Sequence, residues 1–275
     1  MILIRFCQMK LQQCQTNSSC SVKAKKQGHV KKLSFFHTPF LFTCFIFQTD
    51  ISLLILRLDQ SVGIPLTLVN YIHLISLCIT EYEEVIQKHF LDSLSLIRVI
   101  PDIASQKLTV IDLGTGAGFP GIPLKIAFPE LEITLMDSLN KRILFLQEVI
   151  DALGLKKVSA VHGRAEEMAS NATHRQQYDL CVSRAVSNLA VLTEYCLPFV
   201  KKGGLFVSYK SADSDAEIQE GKKAISILGG KLTSVDKFQL PDSDLRRALV
   251  CIKKVKDTPK KYPRKAGTPA KLPLK

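Results

Sequence analysis

Val110-Ile-Asp112-Leu-Gly114-Thr-Gly116-Ala-Gly118-Phe119-Pro-Gly121 runs from a short apolar strand through a glycine-rich turn into the start of a helix. Glycines at such a turn let the backbone approach a ligand closely, and the helix that follows offers unpaired amides and the positive end of its dipole. A ligand is therefore expected at the carboxyl end of this strand. One register, Gly116-Ala-Gly118-Phe-Pro-Gly121, satisfies the dinucleotide pattern GxGxxG, with Asp137 about twenty residues further on to receive a ribose. A carboxylate suits that task because it accepts from two vicinal hydroxyls at once. Without a ligand, the glycines would serve only as a tight turn and Asp137 would cap the helix at Ser138.

Around this turn, apolar runs of strand length alternate with helical stretches. Strands are expected at Leu108–Asp112, Leu131–Met136, Val158–His162, Tyr178–Ser183 and Gly204–Ser208, with helices at Ile122–Phe128, Leu139–Leu153, Leu189–Phe199 and Ala216–Leu228. Repeated strand, crossover helix and strand imply an α/β fold with a doubly wound, mostly parallel, Rossmann-like sheet and right-handed crossovers. Leu232–Leu240 and Ala248–Lys253 are expected to add an antiparallel pair at the sheet edge.

Towards the N-terminus, Thr80 followed three residues later by Glu83 is a capping-box signature. Val85, Ile86, Phe90, Leu91, Leu94 and Ile97 recur at helical spacing, predicting an amphipathic helix that ends before Pro101. Residues 1–79 differ in kind: Lys23–Lys32 is basic, and Phe35–Leu58 and Ile64–Ile79 are apolar without clean periodicity. Pro39–Leu58 has the length of a membrane span, but Gln48, Asp50 and Arg57 interrupt it, and a charge in hydrocarbon costs a few kcal/mol. No membrane span and no cleavable signal are assigned. The chain thus divides into an atypical Cys-rich apolar segment (1–79), an N-terminal helix (80–106), the sheet domain (107–256) and a basic Pro-rich tail (257–275), the tail being extended or ordered only on a partner.

The formal charge of +12 is unevenly spread. Residues 107–252 carry a net +1 and residues 253–275 a net +8, so a nearly neutral body ends in a cationic tail suited to a polyanion such as RNA. Five of the eight cysteines precede residue 80, no pair has CxxC spacing, and no metal site is expected. Cys181, Cys196 and Cys251 lie in apolar runs as small hydrophobes, which fits a reduced, cytoplasmic protein.

A second register of the turn, Asp112-x-Gly114-x-Gly116-x-Gly118, resembles the first motif of class I S-adenosylmethionine-dependent methyltransferases. Five further stretches make the resemblance specific: Lys88-His89-Phe-Leu-Asp92-Ser93, the turn extended to Ile122-Pro-Leu, Asp137-Ser-Leu-Asn-Lys141-Arg142, Arg164-Ala165-Glu166-Glu167 and Ser183-Arg184-Ala185-Val186. Together they resemble the ribosomal RNA small subunit methyltransferase G family, also called glucose-inhibited division protein B. The resemblance runs from about Thr80 through a tail-like ending, Thr258-Pro-Lys-Lys-Tyr-Pro-Arg-Lys-Ala-Gly-Thr-Pro, and leaves residues 1–79 unmatched.

The resemblance implies transfer of a methyl group from S-adenosylmethionine to N7 of a guanine in 16S ribosomal RNA, on the RNA or the small ribosomal subunit. It implies cofactor contacts at Gly114, Gly116 and Phe119, at the Asp137 carboxylate, at Ala165 and Glu166 beside the adenine, and at Arg184. No catalytic residue is assigned, because guanine N7 presents an in-plane lone pair and needs no deprotonation. His89 is read as a packed, hydrogen-bonded group. Lys141, Arg142, Lys201, Lys202, Lys210 and the tail are candidates for RNA phosphates, and a monomer is expected. The rival readings are an NAD-dependent oxidoreductase using the GxGxxG register and a noncatalytic RNA-binding module working through its tail.

Overall fold

The strands are β1 (Thr109–Leu113), β2 (Glu132–Asp137), β3 (Val158–His162), β4 (Tyr178–Ser183), β5 (Val200–Ser211), β6 (Gly230–Gln239) and β7 (Arg246–Lys254). They form one sheet in the order β3-β2-β1-β4-β5-β7-β6 in the computed structural model, which describes residues 86–184, 187–241 and 243–274. The segment 1–79 and the start of the helix expected from Thr80 lie outside the described residues. Five strands run parallel; β7 pairs antiparallel with β5 and β6, giving the expected edge.

Burial follows position in the sheet. The central strands β1 and β4 are buried along nearly their whole length, as sheets covered on both faces require, whereas the edges β3 and β6 alternate in exposure. The helices are α1 (Gly121–Ala127), α2 (Asn140–Ala152), α3 (Ala165–Met168), α4 (Leu189–Cys196), α5 (Asp215–Ile227) and α6 (Thr268–Lys271). The chain winds outward from β1 through β2 to β3, then returns to β4 and winds the other way. Right-handed crossovers in opposite directions put α1 and α2 on one face and α4 and α5 on the other. The winding reverses between β1 and β4, and there the carboxyl ends of the strands open a crevice.

Three elements differ from the sequence expectation. The helix expected to run to Ile97 changes pitch, passing from a wide π turn (Ile86–Leu91) through α geometry (Asp92–Leu94) to a tight 3-10 turn (Ser95–Arg98). Strand β5 begins at Val200 and not at Gly204: Tyr178 pairs with Val200 and Leu180 with Leu205, so the polar Lys201-Lys202-Gly203 stretch is accommodated as an irregularity within the strand.

The third difference is the tail, which packs against the domain. Arg175 donates to the carbonyls of Thr258 and Tyr262, both at 2.9 Å, and Tyr262 and Pro269 are buried. Helix α4 is buried almost all round, including the fully buried Glu194, and this carboxylate meets Arg264 of the tail. The Arg264 backbone N–H and Nε both donate to Glu194 Oε1, at 2.8 and 2.9 Å, and Nη2 donates to Oε2 at 2.6 Å. The free cysteines Cys181, Cys196 and Cys251 are buried.

Removing one partner of this pair strands a carboxylate in the interior, whereas replacing both with apolar groups does not. Arg264→Ala is therefore expected to lower stability by about 3 kcal/mol in urea denaturation, and the double variant Glu194→Met/Arg264→Met to recover most of that loss. Equal losses in both variants would contradict it.

Candidate active site

The turn after β1 is built around Asp112, which is completely buried. Its Oδ2 accepts from Thr115 Oγ1 at 2.7 Å and from the Gly121 backbone N–H at 2.8 Å, tying both ends of the glycine loop to the strand that feeds it. Gly121 has no room for a side chain: a Cβ there would stand 2.3 Å from Leu135 Cδ2 and 2.9 Å from Asp112 Oδ2. Burial pushes the Asp112 carboxyl up to about 6, against the two hydrogen bonds, which favour the charged form.

Between these ties the loop bows outward. Gly114 and Gly116 have φ of +71° and +63°, and a Cβ on either would meet no atom within 4 Å. The space in front of them is a cleft of about 1120 Å³. At the end of β2, Asp137 faces the loop: its Oδ2 accepts from the Gly116 N–H at 3.0 Å and its Oδ1 from the Leu139 N–H at 2.9 Å. Arg142 Nη1 lies 3.1 Å from Oδ2. A carboxylate has about four acceptor sites; Gly116 and Leu139 take two, and displacement of the partly exposed Arg142, which reaches both oxygens, would leave two for vicinal hydroxyls.

The opposite wall comes from β4 and the segment before β1. Arg184 Nη1 donates to the carbonyls of Lys88 and His89 at 3.2 and 3.3 Å and pairs with buried Asp92 at 3.2 Å. Its Nη2 contacts His89 Nδ1 at 3.0 Å, and its guanidinium carbon lies 5.2 Å from the Phe119 ring centroid. His89 packs against Phe119 at 5.0 Å, and Phe90 meets the same ring edge-on at 5.3 Å. Arg247 Nε stands 3.3 Å from the other Asp92 oxygen. Burial, then the charges of Arg184, Lys88 and Arg247, lower His89 to about 4, so at neutral pH it is an uncharged acceptor for Arg184.

All seven residues selected from the sequence, Gly114, Gly116, Phe119, Asp137, Ala165, Glu166 and Arg184, line this one cleft. Ala165 and Glu166 enter from the first turn of α3. Three of the proposed phosphate contacts prove to be engaged elsewhere. Arg142 pairs with Asp137 inside the cleft, Lys201 pairs with Asp179 at 2.5 Å, and the nearly buried Lys210 pairs with Glu217 and donates to the Ser187 carbonyl, both at 2.6 Å. Sequence reasoning passed over Asp92, Arg247 and Gly267 as cleft residues; Asp92 and Gly267 stand in quoted motifs, whereas nothing local marks Arg247. Among the described residues no group of His, Cys, Asp or Glu is arranged to hold a metal ion, and no helix is long and apolar enough to cross a membrane.

A glycine loop open to a cleft and facing an acidic residue at the end of the next strand defines the cofactor site of a doubly wound nucleotide-binding fold, the architecture that class I S-adenosylmethionine-dependent methyltransferases share. The family model for rRNA small subunit methyltransferase G matches residues 66–250. The match starts within the segment expected to be unmatched, and it stops before the tail. Ribosomal RNA small subunit methyltransferase G of Lachnoclostridium phytofermentans is 60% identical over 196 residues, 71% of this chain and 80% of that protein. The proteins of the same name from Alkaliphilus metalliredigens and Acetivibrio thermocellus are 56% and 54% identical over 72% and 71% of this chain, and 82% and 79% of their own lengths. Among solved structures, TrmN from Thermus thermophilus aligns with a TM-score of 0.45 at 15% identity, over 59% of this chain and 48% of that one. The chain belongs to the rRNA small subunit methyltransferase G family.

The raised Asp112 carboxyl makes stability depend on pH. The folded protein holds this proton up to about pH 6 and the unfolded chain only to 3.8, so the contribution is full below pH 3.8 and is lost as pH rises through 6. Asp112→Asn should remove a fall of about 3 kcal/mol across that window, measured by urea denaturation from pH 4 to pH 7. An unchanged pH profile in the variant would contradict the assignment.

Proposed function

We propose that this protein transfers the methyl group of S-adenosylmethionine to N7 of a guanine in 16S ribosomal RNA, acting as a cytoplasmic monomer on the small subunit or its RNA. The reading is carried by one observation: the open face of Gly114 and Gly116 lies against the Asp137 carboxylate in a single cleft. When bound, the cofactor supplies a methyl group activated by a positively charged sulfur.

The protein's own residues then have defined tasks. Asp137 receives the ribose hydroxyls, the bare backbone of Gly114 and Gly116 lets the cofactor approach closely, and Ala165 and Glu166 meet the adenine. Phe119 and Arg184 form the wall nearest the reacting end. His89, the one imidazole among the described lining residues, accepts from Arg184 and is lowered to about 4, so it is poorly placed to act as a base at neutral pH. A target that needs no base, such as guanine N7, suits that wall, which has only to align nucleophile and methyl group.

In this reading residues 107–256 are the methyltransferase domain, residues 80–106 its N-terminal helix and residues 257–275 a basic tail. The exposed Lys141, Lys202, Lys260, Lys261 and Lys265 serve RNA phosphates, with affinity that falls steeply as salt rises.

Incubation with labelled S-adenosylmethionine and unmodified small ribosomal subunits should place label on a guanine N7 of 16S RNA. Label on another atom, or on none, would overturn the proposal. Gly114→Val fills the open face and forces a β-branched residue to a positive φ, so it should abolish cofactor binding in equilibrium titration while the fold persists. Binding equal to the parent would remove Gly114 from the site.

A further inference from the structure

After β7 the chain does not leave the domain but returns across α4 to the cleft, tied down at successive points. Buried Lys254 donates from Nζ to the Leu197 carbonyl at 2.6 Å and also to Thr258 Oγ1, which in turn donates to the Leu228 carbonyl at 2.8 Å. Arg175 holds the carbonyls of Thr258 and Tyr262, and Arg264 is forked onto Glu194. Three residues beyond Arg264, the Gly267 N–H donates to Glu166 Oε1 at 2.9 Å. Gly267 and Glu166 both line the cleft, as does Tyr195, which stands on α4 next to Glu194.

The tail thus has an inner face that meets Glu166 and an outer face that bears exposed lysines. A surface glutamate samples several rotamers and gives up that freedom when it binds a ligand. Here a backbone amide already holds one of its oxygens. Three residues before that amide, Arg264 anchors the chain to the buried Glu194 carboxylate. The Tyr195 hydroxyl fits this arrangement, since burial and then the nearby Glu166 and Glu194 carboxylates make it harder to ionise.

We propose that residues 258–267 are a wall of the cofactor cleft, in which Arg264 and Gly267 are positioning residues that fix Glu166 for recognition of the adenine ring. The proposal rests on the assignment of Glu166 to the adenine side. It gives the tail a role in cofactor specificity separate from any contact of its outer lysines with RNA. A carboxylate acceptor set at the adenine edge favours an exocyclic amine donor over a carbonyl oxygen, so the cleft should distinguish adenosine from inosine.

The test compares binding of S-adenosylhomocysteine and S-inosylhomocysteine by titration calorimetry. The parent should prefer the adenosine compound by about tenfold, the value of one hydrogen bond to a charged group. The Glu194→Met/Arg264→Met variant should lose most of that preference while keeping its thermal midpoint. In the parent, hydrogen exchange across residues 258–267 should slow when S-adenosylhomocysteine saturates the protein, a readout that needs no variant. An unchanged preference in a variant whose tail exchanges freely, or an absence of protection in the parent, would overturn the proposal. A parent that bound neither compound would overturn the cofactor assignment, and the role of the tail with it.

Discussion

The architecture of the cleft depends on one carboxylate removed from water. Asp112 lies one residue before the end of the first strand with no exposed surface, and one of its oxygens receives both the Thr115 hydroxyl and the Gly121 amide. A buried polar group demands partners, and the partners available here are the two ends of the glycine loop. Satisfying Oδ2 therefore sets the path of the loop, while the buried Oδ1 has no hydrogen-bond partner among the described residues. The loop bows away from the sheet, Gly114 and Gly116 face open space, and the amide of Gly116 is delivered to Asp137 on the neighbouring strand. The constraint also explains Gly121, where a methyl group would collide with the carboxylate and with Leu135.

A second buried carboxylate ties the segment before β1 to the far wall. Asp92 lies between Arg184, which follows β4, and Arg247 on β7. Arg184 also takes up carbonyl oxygens of the widened helical turn at Lys88 and His89, and Tyr209 on β5 donates to the Ser93 carbonyl at 2.8 Å. The change of pitch over Ile86–Arg98 is thus accompanied by hydrogen bonds from the sheet to backbone groups of the segment. Wide turns of this kind are uncommon and gather at functional sites. One electrostatic cluster joins four segments distant in sequence, which makes Arg184 both a cleft residue and a clasp for the segment before the domain.

Much of this was legible in the chain because local chemistry dictates it. The strand, glycine turn and helix could be read from Val110 to Gly121, since only glycine suits a backbone that turns through positive φ close to a ligand. The parallel sheet followed from alternating apolar runs and amphipathic helices, and its antiparallel edge from two strands with no helix between them. Asp137 could be read from its place about twenty residues beyond the glycines, at the end of the next strand, whereas Ala165, Glu166 and Arg184 are what the resemblance of their motifs to the family implies. The start of β5 was misplaced because Lys201-Lys202-Gly203 has the polarity of a turn, and an irregularity in pairing is not visible in polarity. The amphipathic helix at 86–98 had the right periodicity for its buried face, but the pitch is set by contacts from the sheet.

The amino-acid sequence by itself determined the fold class, the glycine loop and the acidic residue opposite it, because each depends on spacing within one element or at one strand end; the other cleft residues follow from motifs that resemble the family. Only the tertiary structure decided what each charge does. Arg142, Lys201, Lys210 and Arg264 look alike as surface cations in a chain of net charge +12, yet each is matched with a carboxylate, and for Lys201 and Arg264 that carboxylate is brought from a distant segment of the chain. The tail reads as a free basic appendage because its anchors, Glu194, Arg175 and Glu166, lie 70 to 101 residues away. Pairing energy depends on distance in space and on exclusion of water, and neither is written in the order of residues along the chain.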